Sequence, residues 1–465
     1  MHQLPRHTQY KNSGLPWVGE IPAHWQTRRN RFLFREVDRR STHGDETHLS
    51  MSQVHGLVPS KHLSRKSLQS ENYAGGKLVA EHDLVLNRLK AHLGVFAHAK
   101  QAGVVSPDYT VLRPKGDASV RYCELLFKTP MYVGEFRRRT KGIVEGFWRL
   151  YTDDFYNVAA LLPPPEEQDQ IVAYLRAQDA HIARFIKAKR ELIGLLIEQK
   201  LRIIDHAVTR GLDANIRPKP SGIEWLGDVP EHWEVKPLKR WVRLNASTLG
   251  EKTDPDFEFR YVDIGSVQTG RLVKEPERIR FEAAPSRARR VLRRGDTIIS
   301  TVRTYLKAIW YVSQDADDLI ASTGFAVLTP GSGVEPEYLG YVIQSSVFVN
   351  RVTANSIGIA YPAIAETVLG RFPVALPTTV AEQQTIVARI KTESAPLDEA
   401  IARAEDEIKL IREYRDRLIA DAVTGQVDLR GWRLGPDDVV DDDLAALGED
   451  DGDSPDGEDA DGEEN

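Results

Sequence analysis

Apolar residues recur at alternating spacings of three and four along two stretches of the chain, from Glu166 to Arg210 and from Ala381 to Thr424. In an α-helix this spacing places the apolar side chains on one narrow stripe, which is typical of helices that pair with each other. We therefore predict two long helices that pack as an antiparallel coiled coil. The alternative is that each stripe packs on a separate core. The predicted seam comprises Leu175, Ile182, Ile186, Ile193, Leu196 and Ile203 in the first helix and Leu397, Ile401, Ile408, Ile411 and Leu418 in the second.

The two helical stretches are copies of each other. The sequence EEQDQIVAYL, which begins at residue 166, returns as AEQQTIVARI at residue 381, and AVT at residue 207 returns at residue 422. An offset of 215 residues holds without a gap from 381 to 424. Gly211 is expected to end the first helix. Pro396 has no amide proton, so the second helix is predicted to kink or restart there, with residues 397–424 as its secure part.

Outside the helices the pattern changes to short runs of high β-propensity that are separated by glycine and proline. The runs predicted as strands are GKLVA, HDLVLNRL and YTVLRP in the first variable region and RYVDIGSV, GDTIISTV, AIWYVS and FAVLTPG in the second. HDLVLNRLK resembles GDTIISTVR, YTVLRPKG resembles FAVLTPGSG, and KGIVEGFW at 141–148 takes the place of NSIGIAYP at 355–362. The two regions are therefore predicted to share a fold and to differ in their loops.

A further repeated segment precedes each variable region. SGLPWVGEIPAHW at 13–25 returns as SGIEWLGDVPEHW at 221–233, at an offset of 208 residues, which indicates an internal duplication. The predicted fold class is α+β, with two similar α+β domains separated by two long antiparallel helices and with internal pseudo-two-fold symmetry. The predicted segments are a first domain at 1–161, a first helix at 162–212, a second domain at 213–375, a second helix at 376–430 and an acidic disordered tail at 431–465.

The composition is that of an ordinary globular protein, with 465 residues, 41% hydrophobic and 28% charged. No run approaches the roughly 20 apolar residues that span a bilayer, and the N-terminus lacks the apolar stretch of a secretory signal, so we expect a cytoplasmic protein without a membrane partner. Cys123 is the only cysteine, which excludes an internal disulfide and a cysteine-based zinc site. The net charge is −6, but residues 437–465 hold fifteen acidic residues and no basic residue, so the remaining chain carries about +9.

Basic and aromatic residues collect in the loops of both variable regions. Arginine can fork onto a guanine edge or a phosphate, and lysine supplies a point charge to the nucleic-acid backbone. The aromatic residues nearby are Phe136, Phe147, Trp148, Tyr305 and Tyr361, and a further run of arginines lies within 287–294. For any single cluster, a solvated charged surface is the alternative. Recurrence in both halves makes nucleic-acid binding an equal alternative to a solvated surface, and the candidate binding residues are Arg88, Lys90, Arg137, Arg138, Arg139 and Lys141 in the first domain and Arg303, Tyr305, Lys307, Asn355 and Tyr361 in the second.

Both copies of S-G-x-x-W-x-G-x-x-P-x-H-W are followed by a variable region, then by E-Q-x-x-I-V and a long helix that ends in A-V-T. In this order the chain resembles the specificity subunit of type I restriction-modification enzymes, over residues 10 to about 430. A doubled set of motifs is more specific than any single short motif. The chain departs from the family pattern in Pro396 and in the acidic tail.

The resemblance implies a division of roles between subunits. Each variable region would be a target recognition domain that reads one half of an asymmetric, bipartite site in double-stranded DNA. The helices would set the distance between the half-sites and dock two modification subunits, which methylate adenine, and restriction subunits would join to translocate and cut the DNA. S-adenosylmethionine, ATP and Mg would be bound by these partner subunits, and no cofactor by this chain.

Motifs for catalysis are absent from the sequence. GGKL at 75–78 does not complete a P-loop, and SPDY at 106–109 lacks the second proline of an adenine methyltransferase motif. His24 and His232 are expected to pack with the adjacent tryptophans. We therefore predict a non-catalytic subunit without a metal site. The alternatives are a single-chain enzyme of the restriction class and a coiled-coil scaffold whose domains bind proteins.

Overall fold

The computed structural model describes residues 4–52, 56–62, 73–116, 118–142, 148–359, 361–436 and 438. Phe147 and most of the predicted acidic tail lie outside these residues. Contacts divide the chain into two compact units: a first unit formed by the described residues of Met1–Glu191 and Glu405–Asn465, and a second unit formed by those of Leu192–Ala404. Within the described ranges, no helix has both the length and the apolar character that crossing a membrane requires.

Helices form the frame of both units. The described α-helices are α1 (Asn30–Leu33), α2 (Val120–Phe127), α3 (Pro130–Arg139), α4 (Thr152–Asn157), α5 (Pro165–Arg210), α6 (Pro336–Gln344), α7 (Ser346–Ala354), α8 (Glu366–Leu369) and α9 (Val380–Val423). Helix α5 begins with Pro165, whose missing amide costs no hydrogen bond at that position. It ends before Gly211, which has a φ of +73° and donates its amide proton to the carbonyl oxygen of Ala207 at 3.2 Å. The glycine therefore ends the helix where the sequence predicts.

The first unit contains a four-stranded antiparallel sheet in the order β4-β11-β8-β9, with the two-stranded pairs β1-β2, β3-β12, β5-β6 and β7-β10 around it. Leu84 and Leu86 face the main core of the unit, whereas Val85 faces a smaller core, so the central strand is buried on both faces. The strands are β1 (Tyr10–Asn12), β2 (Glu20–Pro22), β3 (Gln26–Arg29), β4 (Phe34–Glu36), β5 (Leu49–Ser52), β6 (Gly56–Pro59), β7 (Lys77–Val79), β8 (Leu84–Asn87), β9 (Phe96–His98), β10 (Gly103–Val105), β11 (Tyr109–Pro114) and β12 (Ala159–Leu162).

The second unit repeats this sheet as β16-β25-β22-β23 and adds a second four-stranded sheet, β20-β17-β24-β21, in which β17 and β24 are parallel. Smaller pairs are β13-β14, β15-β26 and β18-β19. The strands are β13 (Pro218–Pro220), β14 (Asp228–Pro230), β15 (Glu234–Pro237), β16 (Val242–Leu244), β17 (Glu258–Val262), β18 (Val267–Gln268), β19 (Arg271–Leu272), β20 (Glu277–Arg280), β21 (Ala288–Val291), β22 (Thr297–Ser300), β23 (Ile309–Tyr311), β24 (Leu319–Ser322), β25 (Phe325–Pro330) and β26 (Pro373–Leu376).

These elements confirm the predicted α+β class with two similar domains. Each run that the sequence marks as a strand contains or overlaps one, and the runs that resemble each other occupy equal places in the two sheets. The strands β8 and β22 lie within HDLVLNRLK and GDTIISTVR, respectively. The strands β11 and β25 lie within YTVLRPKG and FAVLTPGSG. Each compact unit combines one of these domains with parts of both long helices, so the domain boundaries drawn at the helix ends stay a prediction.

Helices α5 and α9 run antiparallel within each unit. In the first unit Arg415 donates to Asp179 at 2.7 Å, and Lys189 forms an ion pair with Glu407. Moving ten residues forward along α5 therefore moves the partner eight residues back along α9, which defines opposite directions. The helix segments of the first unit pack through apolar side chains that share the core of its domain.

The second unit shows the same arrangement between the other halves of the two helices. Lys200 of α5 contacts Asp398 of α9 at 2.6 Å, and Ile204 shares a core with Ile390. The partner in α9 again moves backward as α5 advances, so the pairing in this unit is antiparallel as well.

The residues chosen as the helical seam lie in the interior or at its margin. Those that are buried are Leu175, Ile182, Ile186, Ile401, Ile408 and Leu418, and those that are half-buried are Ile193, Leu196, Ile203, Leu397 and Ile411. Other apolar residues of the same helices, such as Leu195 and Leu410, are exposed by 64% and 62%. The stripe chosen by spacing is thus the side of each helix that is turned away from solvent.

Helix α9 continues through Pro396 without the restart that the sequence predicts. A proline inside a helix removes one hydrogen bond and crowds the preceding turn, at a cost of roughly 3 kcal/mol. Tertiary packing holds the helix on both sides of the proline, where Ile390 and Ile401 are buried. Packing of the two flanking segments therefore outweighs the local penalty.

A buried carboxylate joins the repeated motif of the first unit to the first turn of α5. Glu167 accepts a hydrogen bond from Trp25 Nε1 at 3.0 Å through one oxygen, and its other oxygen lies 2.7 Å from His24 Nε2. We call His24, Trp25 and Glu167 the first clasp. The Trp25 side chain is fully buried and Glu167 is only 5% exposed. The hydrogen bond between them therefore gives the indole N–H and the carboxylate oxygen a partner where water is excluded. A carboxylate is also favoured in the first turn of a helix by the helix dipole.

The second unit contains the same arrangement. Glu382 accepts from Trp233 Nε1 at 3.0 Å and lies 2.8 Å from His232 Nε2, and we call these three residues the second clasp. Each histidine thus shares a carboxylate with the adjacent tryptophan, and the partner of both is a glutamate about 150 residues further along the chain. In both units, therefore, the repeated motif that ends in His-Trp contacts the repeated E-Q-x-x-I-V motif.

The glutamine that follows each clasp glutamate bonds to the domain. Gln168 accepts from the amide of Ser119, the residue before α2, at 2.8 Å. Gln383 accepts from the amide of Glu335, the residue before α6, at 2.7 Å. Both glutamine side chains are buried and both also donate to a proline carbonyl, so they fix the first domain helix against the long helix. The E-Q pair of the sequence therefore positions the whole domain on its helix.

Replacing Glu382 with alanine removes the acceptor of a fully buried indole. We expect the free energy of unfolding of the second unit to fall by about 2 kcal/mol, because a hydrogen bond to a charged group contributes roughly 1.5–3 kcal/mol. Urea denaturation followed by tryptophan fluorescence measures this change. Glu393→Ala on the same helix is the control, because its i,i+4 pair with Arg389 contributes less than about 0.5 kcal/mol. Equal losses in the two variants would contradict the role given to the clasp.

Replacing Pro396 with alanine supplies the missing amide to a helix that is already continuous. We expect the free energy of unfolding to rise by roughly 1–3 kcal/mol, up to the full penalty of an internal proline. Thermal denaturation of the two proteins measures the difference as a higher melting temperature. A lower melting temperature would show that the proline ring is needed for the path of α9.

Candidate nucleic-acid interface

The loop after the central strand of each main sheet packs against a second loop further along the chain. In the first unit, residues 87–94 follow β8 and contact the described part of 141–150, and we call this the first loop pair. In the second unit, residues 300–307 run from the last residue of β22 into the loop and contact the described residues of 355–364, and these form the second loop pair. The two pairs contain all the candidate DNA-binding residues except the three arginines of α3.

Backbone hydrogen bonds join the loops of the two pairs in the same way. The amide of Leu150 donates to the carbonyl oxygen of Arg88 at 3.1 Å in the first pair, and the amide of Ile364 donates to that of Thr301 at 2.8 Å in the second. The acceptor of each bond is the first residue after its strand, which is β8 in the first unit and β22 in the second. The sequence comparison of 141–148 with 355–362 therefore corresponds to a shared position in the fold.

A 3-10 turn forms the tip of the first loop in both pairs, Ala91–Leu93 in the first unit and Thr304–Leu306 in the second. The residue before the turn is Lys90 in one unit and Arg303 in the other, and both side chains are exposed. Two candidate cations thus occupy the same place in two different loops.

The backbone of the second loop is strained at two of its cations. Arg303 and Lys307 have φ values of +51° and +50°, in the left-handed region that favours glycine. In the first unit the residue after the turn is Gly94, with φ +74°. A non-glycine residue in such a conformation costs about 1 kcal/mol or more and persists where the surroundings impose it, commonly at binding sites. The positions of Arg303 and Lys307 therefore indicate a functional constraint on the loop.

The positive charge of this loop has no acidic partner among the described residues. The guanidinium of Arg303 lies over the ring of Tyr361, with Cζ 4.8 Å from the ring centroid, and Lys307 is exposed. Thr304 Oγ1 donates to Ser356 Oγ at 2.8 Å and holds the two loops together. The charge and shape of the second loop pair are thus fixed, and its cations remain available to an anion.

An apolar tip projects from the second loop pair. The exposed fractions are 84% for Ile357, 105% for Ile359, 64% for Tyr361 and 53% for Tyr305. Exposed apolar side chains beside free cations suit a surface that meets both the bases and the phosphates of a nucleic acid. The isoleucines were not among the sequence candidates, although a glycine between two isoleucines directly after a helix is a signal that could have identified them.

The fifth candidate of the second unit, Asn355, has a structural partner. It lies just after α7, is half-buried, and its side-chain amide donates to the carbonyl oxygen of Arg351 at 2.8 Å. Asn355 therefore caps the helix at the edge of the second loop pair.

The first loop pair combines a histidine, a tryptophan and free cations. The ring of His92 meets that of Trp148 edge-on at 5.8 Å. Burial, followed by the positive charge of Arg137, lowers the pKa of His92, so the ring is neutral at neutral pH. Among the described residues, neither Lys90 nor Arg137 pairs with a carboxylate, and both are exposed. The chemistry of this loop pair therefore differs from that of the second, although the backbone frame is the same.

Two other candidates of the first unit are held by acidic neighbours. Arg88 Nε donates to the carbonyl oxygen of Asp108 at 2.7 Å, with the carboxylate of Asp108 3.7 Å away. Lys141 Nζ contacts Asp154 at 2.8 Å. These side chains help to position the loop, and their charges are partly compensated.

Helix α3 uses two of its three arginines internally. Glu135 is buried and pairs with Arg138 and Arg139 on the same helix. Arg137, on the other side, is exposed. Phe136, which the sequence groups with the basic loop, lies fully buried in the domain core, because it falls on the inner face of the helix.

The arginine run at 287–294 also has structural partners. Arg290 pairs with Glu366 at 2.6 Å, and Arg289 lies over the ring of Phe281 at 4.6 Å. This run forms β21 and its flanks, so much of its charge is compensated within the domain.

Comparison with known proteins adds to this geometry. No protein-family model matches the sequence, and no curated protein matches it. Among solved structures, the chain is similar to a chain from a study of complex assembly and conformational transition of the type I R-M system, at 15% identity and a TM-score of 0.56, over 88% of this chain and 99% of that one.

Two further structures match over similar shares at lower scores. The HsdS subunit from Thermoanaerobacter tengcongensis has 18% identity and a TM-score of 0.38, over 88% of this chain and 98% of that one. The type I restriction-modification system S subunit from M. genitalium has 12% identity and a TM-score of 0.33, over 86% and 96%. The first comparison shows that this chain shares its fold, over most of its length, with a chain of a type I R-M system.

Proposed function

We propose that this protein is the specificity subunit of a type I restriction-modification complex. Each domain reads one half of a bipartite, asymmetric site in double-stranded DNA through its loop pair, and the chain has no catalysis of its own. The observation that carries the proposal is the second loop pair, where two exposed cations that have no acidic partner among the described residues are held in a strained backbone beside exposed aromatic and apolar side chains.

The loop pairs support a reader of unlike half-sites. Corresponding positions hold Lys90 and Arg303, and then His92 and Tyr305, on turns of the same shape. Lysine supplies a point charge, whereas arginine forms bidentate bonds to guanine or phosphate. Equal frames with unequal side chains therefore recognise different base pairs, as an asymmetric site requires.

The long helices support the partner subunits named by the resemblance. Outward-facing apolar residues on them include Leu192 and Leu195 in the second unit and Phe185 and Leu410 in the first. In this proposal the docked subunits cover these side chains. We assign docking of two modification subunits to these helices, with restriction subunits joining them. S-adenosylmethionine, ATP and Mg belong to those partners in this proposal.

The charge of the second loop pair generates a test on DNA affinity. Arg303→Ala in the full chain should weaken binding to duplex DNA and reduce the slope of log affinity against log salt by about 1, because each phosphate contact contributes a slope of about 0.9. Filter binding across salt concentrations measures both quantities. Arg278→Ala is the matched control, since this exposed arginine of the same unit is already paired with Asp318 and Glu258.

Affinity that is independent of salt in the unmodified protein would overturn the proposal and favour the protein-binding scaffold. A loss in Arg278→Ala as large as that in Arg303→Ala would show a general charge effect and reject the assignment to the second loop pair.

Exchange of one domain generates a second test. Replacing residues 26–160 with the corresponding domain of another specificity subunit should change one half of the methylated sequence and leave the other half unchanged, because each unit has its own core and its own loop pair. Methylome sequencing of cells that carry the complete complex reports the two halves separately. A change in both halves would contradict independent reading.

A further inference from the structure

A buried histidine next to the first clasp has no hydrogen-bond partner. His7 lies on the segment before β1, and its side chain is only 2% exposed. Neither ring nitrogen makes a hydrogen bond within the part of the chain that the structure describes. A buried polar group without a partner costs roughly 1–3 kcal/mol, and native proteins leave few of them. A hydrogen-bonding or ligating partner for this ring is therefore missing among the described residues.

The surroundings of His7 contain the ligands of a transition-metal site. His7 Nε2 lies 3.8 Å from Glu167 Oε1, and His24 Nε2 lies 2.7 Å from Glu167 Oε2. One ligand atom from each of the three residues lies within 4.8 Å of the others. Two imidazoles and one carboxylate are a common ligand set for zinc, which binds nitrogen and oxygen at about 2.0–2.2 Å.

The other nitrogen of His7 faces a second carboxylate. Nδ1 lies 3.7 Å from Asp428, whose own backbone amide donates to the carbonyl oxygen of Pro5 at 2.7 Å. Metal-binding histidines usually donate their second ring N–H to a carboxylate, which fixes the orientation and the tautomer of the ring. The Asp428 carboxylate, which also accepts hydrogen bonds from Arg430, is the nearest such group to Nδ1, while Nε2 faces Glu167.

We propose that His7, His24 and Glu167 bind one zinc ion in the first unit, with Asp428 as the residue that orients His7. His7 Nε2 lies 3.8 Å from Oε1 of Glu167 and His24 Nε2 lies 2.7 Å from Oε2, so the carboxylate is between the two imidazoles. His24 is 34% exposed, which leaves the fourth position open to water. The sequence prediction of no metal site is the statement that this proposal replaces.

The ion has a structural role. It ties the segment before β1 to the clasp, next to the bonds that Tyr10 and Pro5 form with the residues after α9. Binding energy that is gained only in the folded state adds directly to the stability of the first unit. The proposal does not depend on the DNA-binding role of the loop pairs.

The second unit offers an internal comparison. Its clasp holds His232 and Glu382 at 2.8 Å, like the first. The residue that corresponds to His7 at the offset of the repeated motif is Asn215, which is exposed and donates its side-chain amide to Asp213 at 3.0 Å. The second clasp therefore lacks the third ligand, so only the first binds zinc.

The test is a calorimetric titration of the full chain, stripped with a chelator, with Zn²⁺ and separately with Mg²⁺. We expect one tightly bound Zn²⁺ per chain and no Mg²⁺ binding at the same site. His7→Asn, which copies the residue of the second unit, should abolish tight binding, and Asp428→Asn should weaken it by about 10–100-fold. His232→Asn is the matched control and should keep the wild-type affinity for Zn²⁺.

Two further measurements test the zinc site even if one of the variants is unstable. Zn²⁺ should raise the melting temperature of the wild-type protein and of His232→Asn, but not that of His7→Asn. X-ray absorption of the zinc-loaded wild-type protein should show nitrogen and oxygen ligands at about 2.0–2.1 Å that include two imidazoles. Absence of tight Zn²⁺ binding, or equal binding by His7→Asn, would reject the site and leave a buried water as the partner of His7.

Discussion

The carboxylate of each clasp is the contact on which the rest of the unit depends. It stands in the first turn of a long helix, where the helix dipole favours it, and it bonds to an indole and an imidazole from a hairpin that lies about 150 residues away in sequence. The next residue, a buried glutamine, bonds to the start of a domain helix. Two adjacent side chains therefore set the position of the hairpin and of the domain on the same turn of helix.

This arrangement separates what is constant in the molecule from what varies. The clasps, the glutamines and the main sheets are repeated in both units with the same hydrogen bonds, whereas the loop pairs keep their backbone contacts and differ in side chains. The strain at Arg303 and Lys307 is tolerated because the sheet beneath is rigid and the second loop is held by Thr304. A stable frame of this kind permits substitutions at the loop tips without loss of the fold.

Much of the fold could be predicted from the sequence because it is local or repeated. The period of apolar residues gives α5 and its seam, and Gly211 gives the end of the helix. The partners of the clasp glutamates could not be predicted, since nothing in a sequence states which distant residues meet. The sequence signal for these contacts is that both motifs are repeated, one at an offset of 208 residues and the other at an offset of 215. The left-handed backbone of Lys307 and the burial of His7 have no local signature, and the continuity of α9 through Pro396 depends on tertiary packing.

The division into units has a consequence for biosynthesis. The second unit is continuous, from Leu192 to Ala404, whereas the first is completed only by residues after Glu405, among them the buried Leu418 and Val423. At a synthesis rate of about 5–20 residues per second, the last part of the core of the N-terminal domain leaves the ribosome on the order of ten seconds or more after the rest of that domain. The domain that is translated second is therefore the first to have its whole core, and the core of the N-terminal domain is completed only after the residues that follow Ala404 have been synthesised.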